Sequence, residues 1–483
     1  MNKLVLLSAL WQGIQGVMAA GSPVICDQTC KALASMGAEF EASQHADPNS
    51  TFYSVPSNFS QNMAPGTVLS VEYATNLANY QVPSPLTMSR IMYTTTDLNG
   101  TILPASAYIL WPFMLPDADA GFPVVAWAHG TTGTFSTCAP SNYRALQYHF
   151  MVPFALAMQG VAVIAPDYAG LGVGSLPDGT IIPHAYSASP AQANDLANAI
   201  LAARSAFPAE IQSNGSFVVA GHSQGGGVAW AFAERQAHQP VTGYRGTIAF
   251  APAARDITWI TQALSKFAAN DTSGSTTVVL GIQNKVIAGV TAAYPHYNFS
   301  GLTDSAYDIW HNGIGAVKGC LPTDTFIQLG LMAPPQEFAR SNWTADPTVE
   351  EFRNRTEVGG RKFAGPLLVL AEGAAGSPLN LDNLEAVVDE TCQWLENTNS
   401  TEELEFVAYS SVAHFALIQA SQPLWMGWIK DRLSGSKGCK KLPGPSCKKR
   451  TVEGFRSQFA TVGIVPNWLV EGVPLRESWK YTL

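Results

Sequence analysis

Residues 217–226 read Phe-Val-Val-Ala-Gly-His-Ser-Gln-Gly-Gly, and this stretch decides the fold. A short apolar run forms a buried strand, and a helix expected over Gln224 to His238 begins directly after Ser223. Gly221-His222-Ser223-Gln224-Gly225 is G-x-S-x-G, in the strand-to-helix setting where that motif presents a nucleophilic serine. Its glycines answer a crowding problem. The serine occupies a sharp, strained turn, so strand and helix pass too closely for side chains two residues to either side. The positive end of the helix then favours an oxyanion forming beside the serine.

Outward from this turn, short apolar runs alternate with amphipathic segments, the pattern of a mostly parallel sheet covered by helices on both faces. Arg90–Thr95 and Ala107–Trp111 read as early antiparallel strands. Val124–Ala128, Val161–Ala165, Phe217–Ala220 and Gly246–Ala251 follow as strands, with helices over Tyr143–Gln159 and Pro190–Ala206 between them. The rhythm stops over residues 256–360 and resumes at Pro366–Leu370, helix 383–395, strand Glu405–Tyr409 and helix 415–433. An irregular segment between two strands of one sheet predicts an inserted helical cap or lid, with Trp259, Phe267, Trp310 and Phe326 supplying an apolar pocket over Ser223. The expected division is thus a leader over 1–20, core over 21–255, cap over 256–360, core over 361–433 and a Gly/Pro-rich extension over 434–483. The basic stretch 434–450 reads as a surface linker whose Lys449-Arg450 end offers a processing site.

At 483 residues the chain exceeds the usual size of one compact core, which agrees with an insertion. Apolar residues at 47% and charged ones at 13% suit a large globular enzyme and exclude a disordered or coiled-coil protein. A net charge of −9 gives no footing for nucleic acid or an anionic membrane. Lys3, the apolar run Leu4–Trp11 and the small residues Val17, Ala19 and Ala20 make residues 1–20 an export signal. Nine Asn-x-Ser/Thr sequons, at 49, 58, 99, 214, 270, 298, 342, 354 and 399, agree with a secreted, N-glycosylated chain. The seven cysteines are scattered without zinc-site spacing, and an oxidising compartment should bridge most of them. No metal or cofactor is implied.

Serine needs a base, and this architecture orders its partners as Ser, acid, His. His414 alone follows the insertion, in the loop between the last strand and the last helix. The oxyanion hole should combine the N–H of Gln224 with one from His129-Gly130-Thr131-Thr132-Gly133, where Thr131 is the first choice and Thr132 the reserve. His129 reads as a turn residue, and Asp167 as a carboxylate pinning its own turn.

These pieces together resemble the fungal secretory lipases of the lipase-A type and their bacterial esterase relatives. The matching residues are AHGTTG with CAPS (128–141), APDYAGLG (165–172), GHSQGG (221–226), APAARD (251–256), PLLVL (366–370) and His414. The resemblance implies an α/β-hydrolase fold, cleavage of carboxylic esters such as acylglycerols, a cap forming the acyl site, and bridges Cys138–Cys320 and Cys392–Cys439. It also places the triad acid after PLLVL, where this chain has Gly376. The substitutes rank as Asp256, then Glu372, then Asp382.

The leading expectation is a serine ester hydrolase acting on a small-molecule or lipid ester, with transient contact at a lipid–water interface. An acyltransferase or a tailoring enzyme of small-molecule biosynthesis uses the same acyl-serine with an alcohol as acceptor. The missing acid keeps a third reading open, a weakened hydrolase fold that only binds.

Overall fold

The computed structural model describes residues 26–46, 51–114, 121–147, 152–270, 276, 279–331, 338–374, 377–434 and 446–454. The expected leader, the Asn49 sequon, Gly376 and Cys439 lie outside them.

Ten strands form one sheet: β1 Val68–Glu72, β2 Thr87–Thr96, β3 Ile102–Trp111, β4 Val124–Ala128, β5 Ala162–Pro166, β6 Phe217–His222, β7 Tyr244–Phe250, β8 Leu367–Gly373, β9 Leu404–Ser410 and β10 Cys447–Val452. Their order is β1-β2-β3-β5-β4-β6-β7-β8-β9-β10. Strands β1 to β3 pair antiparallel, β3 meets β5 antiparallel, and from β5 to β10 every pair is parallel. The central strands are buried along their whole length, which is why they read as unbroken apolar runs.

The α-helices of six or more residues among the described residues are α1 Gln28–Gln44, α2 Val152–Ala157, α3 Ser189–Ala206, α4 Gln224–Gln236, α5 Asp256–Ala268, α6 Gln283–Ala293, α7 Leu321–Leu331, α8 Pro347–Thr356, α9 Leu381–Asn397 and α10 Gln422–Leu433. Two helices are shorter than their pattern predicts, each for a reason of backbone chemistry. In the stretch expected as helix 143–159, Tyr143 bridges to His45, residues 144–147 are turns and α2 is Val152–Ala157, with Pro153 in its first turn where a missing N–H does no harm. The expected helix 415–433 divides at Ser421 into Ala416–Ala420 and α10, which has Pro423 in its first turn.

Residues 256–360 carry α5 to α8, and most of their apolar side chains form a cluster of their own around Ile260, Val286, Ile287, Trp310 and Phe352. Helix α1 belongs with this cluster through Cys30 and Ala34, joined by Cys26 just before it, although its place in sequence assigns it to the core. The insertion rests on the loop after β4. Leu321 N–H donates to Thr132 O at 2.8 Å, Gly133 pairs with Cys320, and Cys138 is bonded to Cys320. Because β4 and β6 run parallel with Ala128 opposite Gly221, that loop and Ser223 leave the same edge of the sheet. The aromatic residues expected to line a pocket pack elsewhere in part. Trp259 is buried in the sheet-and-helix core, and Phe326 lies against Phe40 of α1.

The expected linker ends as structure, with Cys447–Val452 forming the edge strand β10 beside β9. Cys392 is bonded to Cys447, which corrects the Cys392–Cys439 pair implied by resemblance. Strand β10 accounts for the difference, since it carries Cys447 alongside Leu404 and within reach of α9. Cys26 and Cys30 form a third bridge.

The crowding inferred from G-x-S-x-G is present at atomic level. A Cβ on Gly221 would lie 2.0 Å from Gly225 O, and one on Gly225 would lie 2.0 Å from Ala128 O. Gly427, by contrast, sits exposed in α10 with nothing within 4 Å of an added Cβ. Gly427→Ala is therefore expected to stabilise the protein by about 0.5–1 kcal/mol, and Gly225→Ala to abolish folding. Thermal unfolding and soluble yield check the pair, and a folded Gly225→Ala protein would contradict the packing.

Candidate active site

Ser223 joins β6 to α4 with φ 60 and ψ −121, a conformation that a residue bearing a Cβ adopts only under strain. Its N–H donates to Phe250 O at 3.0 Å, and its carbonyl accepts from the N–H groups of Gly226, Gly227 and Ala253. The main chain on both sides is thereby fixed, and the tension stays at the serine. Gln224 opens α4, so its N–H has no partner within the helix.

His414 follows β9 and is buried. Its Nδ1–H donates to Glu372 Oε1 at 2.8 Å, and the same oxygen accepts the Leu379 N–H at 3.3 Å. Glu372 is the penultimate residue of β8, paired with Tyr409 of β9, so Glu372 and His414 come from neighbouring strands. His222, next to Ser223 in sequence, connects it to His414. Its Nε2–H donates to His414 O at 3.1 Å, and the two rings stand 4.4 Å apart. Burial, reinforced by the neighbouring His414, holds the His222 pKa well below the ordinary value, so His222 stays neutral. Nδ1 of His414 is thus occupied as a donor, and Nε2 is left as the nitrogen that accepts a proton. Among the described residues no hydrogen bond yet joins Ser223 Oγ to His414. Such contacts commonly tighten only when substrate is bound.

The sequence model of the alpha/beta hydrolase family matches residues 124–390, more than half of the chain. The chain belongs to the alpha/beta hydrolase family. No curated protein matches it by sequence. Among solved structures it is similar to Candida antarctica lipase A in its closed state, with TM-score 0.63 and 16% identity over 86% of this chain and 93% of that one. It is also similar to the rice cell wall degrading esterase LipA from Xanthomonas oryzae, with TM-score 0.58 and 18% identity over 77% of this chain and 99% of that one. A putative hydrolase from Legionella pneumophila gives TM-score 0.54 and 14% identity over 77% and 98%. At these identities the likeness is one of fold.

Within this alpha/beta hydrolase the three candidate acids separate clearly. Asp256, ranked first from sequence, accepts the Ser187 hydroxyl at 2.5 Å and does not bond His414. The reason lies in the path of residues 251–255. Ala253 bonds to Ser223 O, and the chain passes so close over α4 that a Cβ on Gly227 would lie 2.4 Å from Ala253 O. This route delivers Asp256 to the start of α5 and the loop before α3. Asp382 lies in the first turn of α9, which is capped by Asn380. Glu372 takes the histidine because its longer side chain reaches from the strand itself.

Thr131, the first choice for the second oxyanion donor, lies in the loop beside Gly225, and its Oγ1 is 2.9 Å from Tyr186 OH. Thr132 is buried in the same loop. His129 donates through Nδ1 to Gly130 O at 2.6 Å and stacks on Tyr168, and burial lowers its pKa to about 4. Asp167 binds a different turn from the one expected. It accepts from Ser141 N at 2.8 Å and from the hydroxyls of Ser141 and Ser106 at 2.6 Å. No group of three or more His, Cys, Asp or Glu among the described residues is placed to hold a metal.

A fluorophosphonate probe that labels Ser223 reads this arrangement directly. Glu372→Ala is expected to slow labelling by about 10²- to 10⁴-fold, whereas Asp256→Asn leaves the rate unchanged. The reverse result would return the acid to Asp256. Desolvation raises the Asp256 pKa from 3.8 to about 7. The folded state therefore holds this proton more tightly than the unfolded state. Its stabilising contribution is complete below pH 4 and is lost as pH rises through about 7. The melting temperature of the parent relative to Asp256→Asn is expected to fall between pH 5 and pH 8, and a rise would contradict the burial.

Proposed function

We propose that the protein is a secreted serine carboxylic-ester hydrolase of lipase or esterase type, related to the fungal secretory lipases of the lipase-A type. The observation that carries this reading is the 2.8 Å bond from His414 Nδ1 to Glu372 Oε1, beside a serine held at positive φ. His414 Nε2 takes the proton from Ser223 Oγ as the oxygen attacks the ester carbonyl. The N–H groups of Gln224 and Thr131 receive the oxyanion. Collapse of the tetrahedral intermediate releases the alcohol, protonated by His414, and leaves an acyl-Ser223. Water attacks that ester with His414 again as base, which restores the serine and frees the acid.

Secretion agrees with three disulfides and with the exposure of every sequon asparagine among the described residues. No helix among those residues is long and apolar enough to cross a membrane. A carboxylate on His414 removes the motive for a purely binding role, which rested on Gly376. Acyl transfer differs from hydrolysis only in the acceptor, and product analysis with added alcohols separates the two.

The test is turnover of p-nitrophenyl esters of increasing chain length, with Ser223→Ala as control. The parent is expected to hydrolyse them and Ser223→Ala to lose turnover while keeping its melting temperature, since one Oγ on a half-buried residue contributes little packing. Equal rates for the two proteins would overturn the proposal.

A further inference from the structure

Helix α7, which begins at Leu321, lacks the cap that helices ordinarily receive from the residue before them. That residue is Cys320, and its sulfur is bonded to Cys138. The cap comes instead from Glu41 of α1, 279 residues away. The Glu41 carboxylate is buried and accepts from Cys320 N at 3.0 and 2.9 Å, Thr323 N at 2.8 Å and Thr323 Oγ1 at 2.7 Å. Burial raises the pKa of this group, while the three donors oppose the rise. The positive end of α7 favours the anion further. No slack exists between the two helices, since a Cβ on Gly37 would lie 2.5 Å from Thr323 Cα.

The same end of α7 grips the loop that carries Thr131. Leu321 N–H donates to Thr132 O at 2.8 Å, and Gly133 pairs with Cys320. We propose that Glu41 is a positioning residue for the oxyanion hole. By fixing the first turn of α7 it sets the Thr132–Gly133 peptide, and with it the direction of the Thr131 N–H. The inference rests on the ester-hydrolase reading, because only there does that N–H have a charge to meet. The Cys138–Cys320 bridge already ties loop to insertion across a span of 182 residues. A bridge between sulfurs limits distance, whereas the bonds at Cys320, Leu321 and Thr323 also fix orientation. Orientation is what an oxyanion donor requires, and an error of about 1 Å in such a site costs about 100-fold in rate.

The test uses the full-length protein with Glu41→Ala and Glu41→Gln, and Glu39→Ala as an exposed control on the same helix. For Glu41→Ala, kcat on a short p-nitrophenyl ester is expected to fall about 10- to 100-fold with KM unchanged. Inhibition by an alkylboronic acid, whose adduct places an oxygen in the hole, should weaken by the same factor. Glu41→Gln should fall between, because its amide oxygen still accepts from Thr323 N. A folded Glu41→Ala protein with the parent's kcat and boronate inhibition would overturn the inference, as would a rise in KM alone. Should Glu41→Ala fail to fold, the Gln variant decides by the same readouts. A parent without ester turnover would sink the function instead. The positioning claim would then be judged by the rate at which the fluorophosphonate labels Ser223, slower in Glu41→Ala if correct and equal to the parent if not.

Discussion

Helix α4 starts so close to strand β4 that one methyl group at Gly225 would lie 2.0 Å from Ala128 O. Everything around the candidate site follows from that approach. Ser223 must turn through positive φ to let the helix begin there, which lifts its Oγ clear of the sheet. The loop leaving Ala128 has to pass beside the first turn of α4, with His129 O 2.5 Å from where a Cβ on Gly225 would lie. A larger residue at 225 would separate helix from strand and disperse Ser223, the Gln224 N–H and the loop after β4 together.

Parallel pairing extends this local constraint across the sheet. Strands β6, β7, β8 and β9 are neighbours in that order and run the same way. Ser223, Glu372 and His414 consequently leave one edge, although 191 positions separate the first from the last. His222 adds a direct link, since it belongs to β6 and holds the His414 carbonyl. The insertion between β7 and β8 meets the same edge through Leu321, Cys320 and Thr132. Fixed geometry on the strand side is thereby matched by fixed geometry on the insertion side.

The residues that sequence brings out most clearly are those whose role is set by local crowding. Gly221, Ser223 and Gly225 carry their geometry in their spacing, and the central strands carry theirs in unbroken apolar runs. Glu372 is harder to recognise because two carboxylates stand near ends of adjacent strands, and spacing does not reveal which way a loop turns. Only the passage of residues 251–255 over α4 sends Asp256 toward Ser187. The role of α1 is also hidden from pattern. Its partner at α7 lies hundreds of residues away, and one buried glutamate in an amphipathic helix looks like any solvated charge. Strand β10 is masked by its lysines and arginine, which suit an exposed edge and read equally as linker.

A crystal structure of the Ser223 phosphonate adduct tests the central claim most directly. Phosphorus should be bonded to Ser223 Oγ, with one phosphoryl oxygen about 2.7–3.1 Å from the N–H groups of Gln224 and Thr131. His414 should retain its Nδ1 bond to Glu372 and turn Nε2 toward the adduct. An adduct on another residue, or a phosphoryl oxygen facing away from both N–H groups with His414 released from Glu372, would contradict the account.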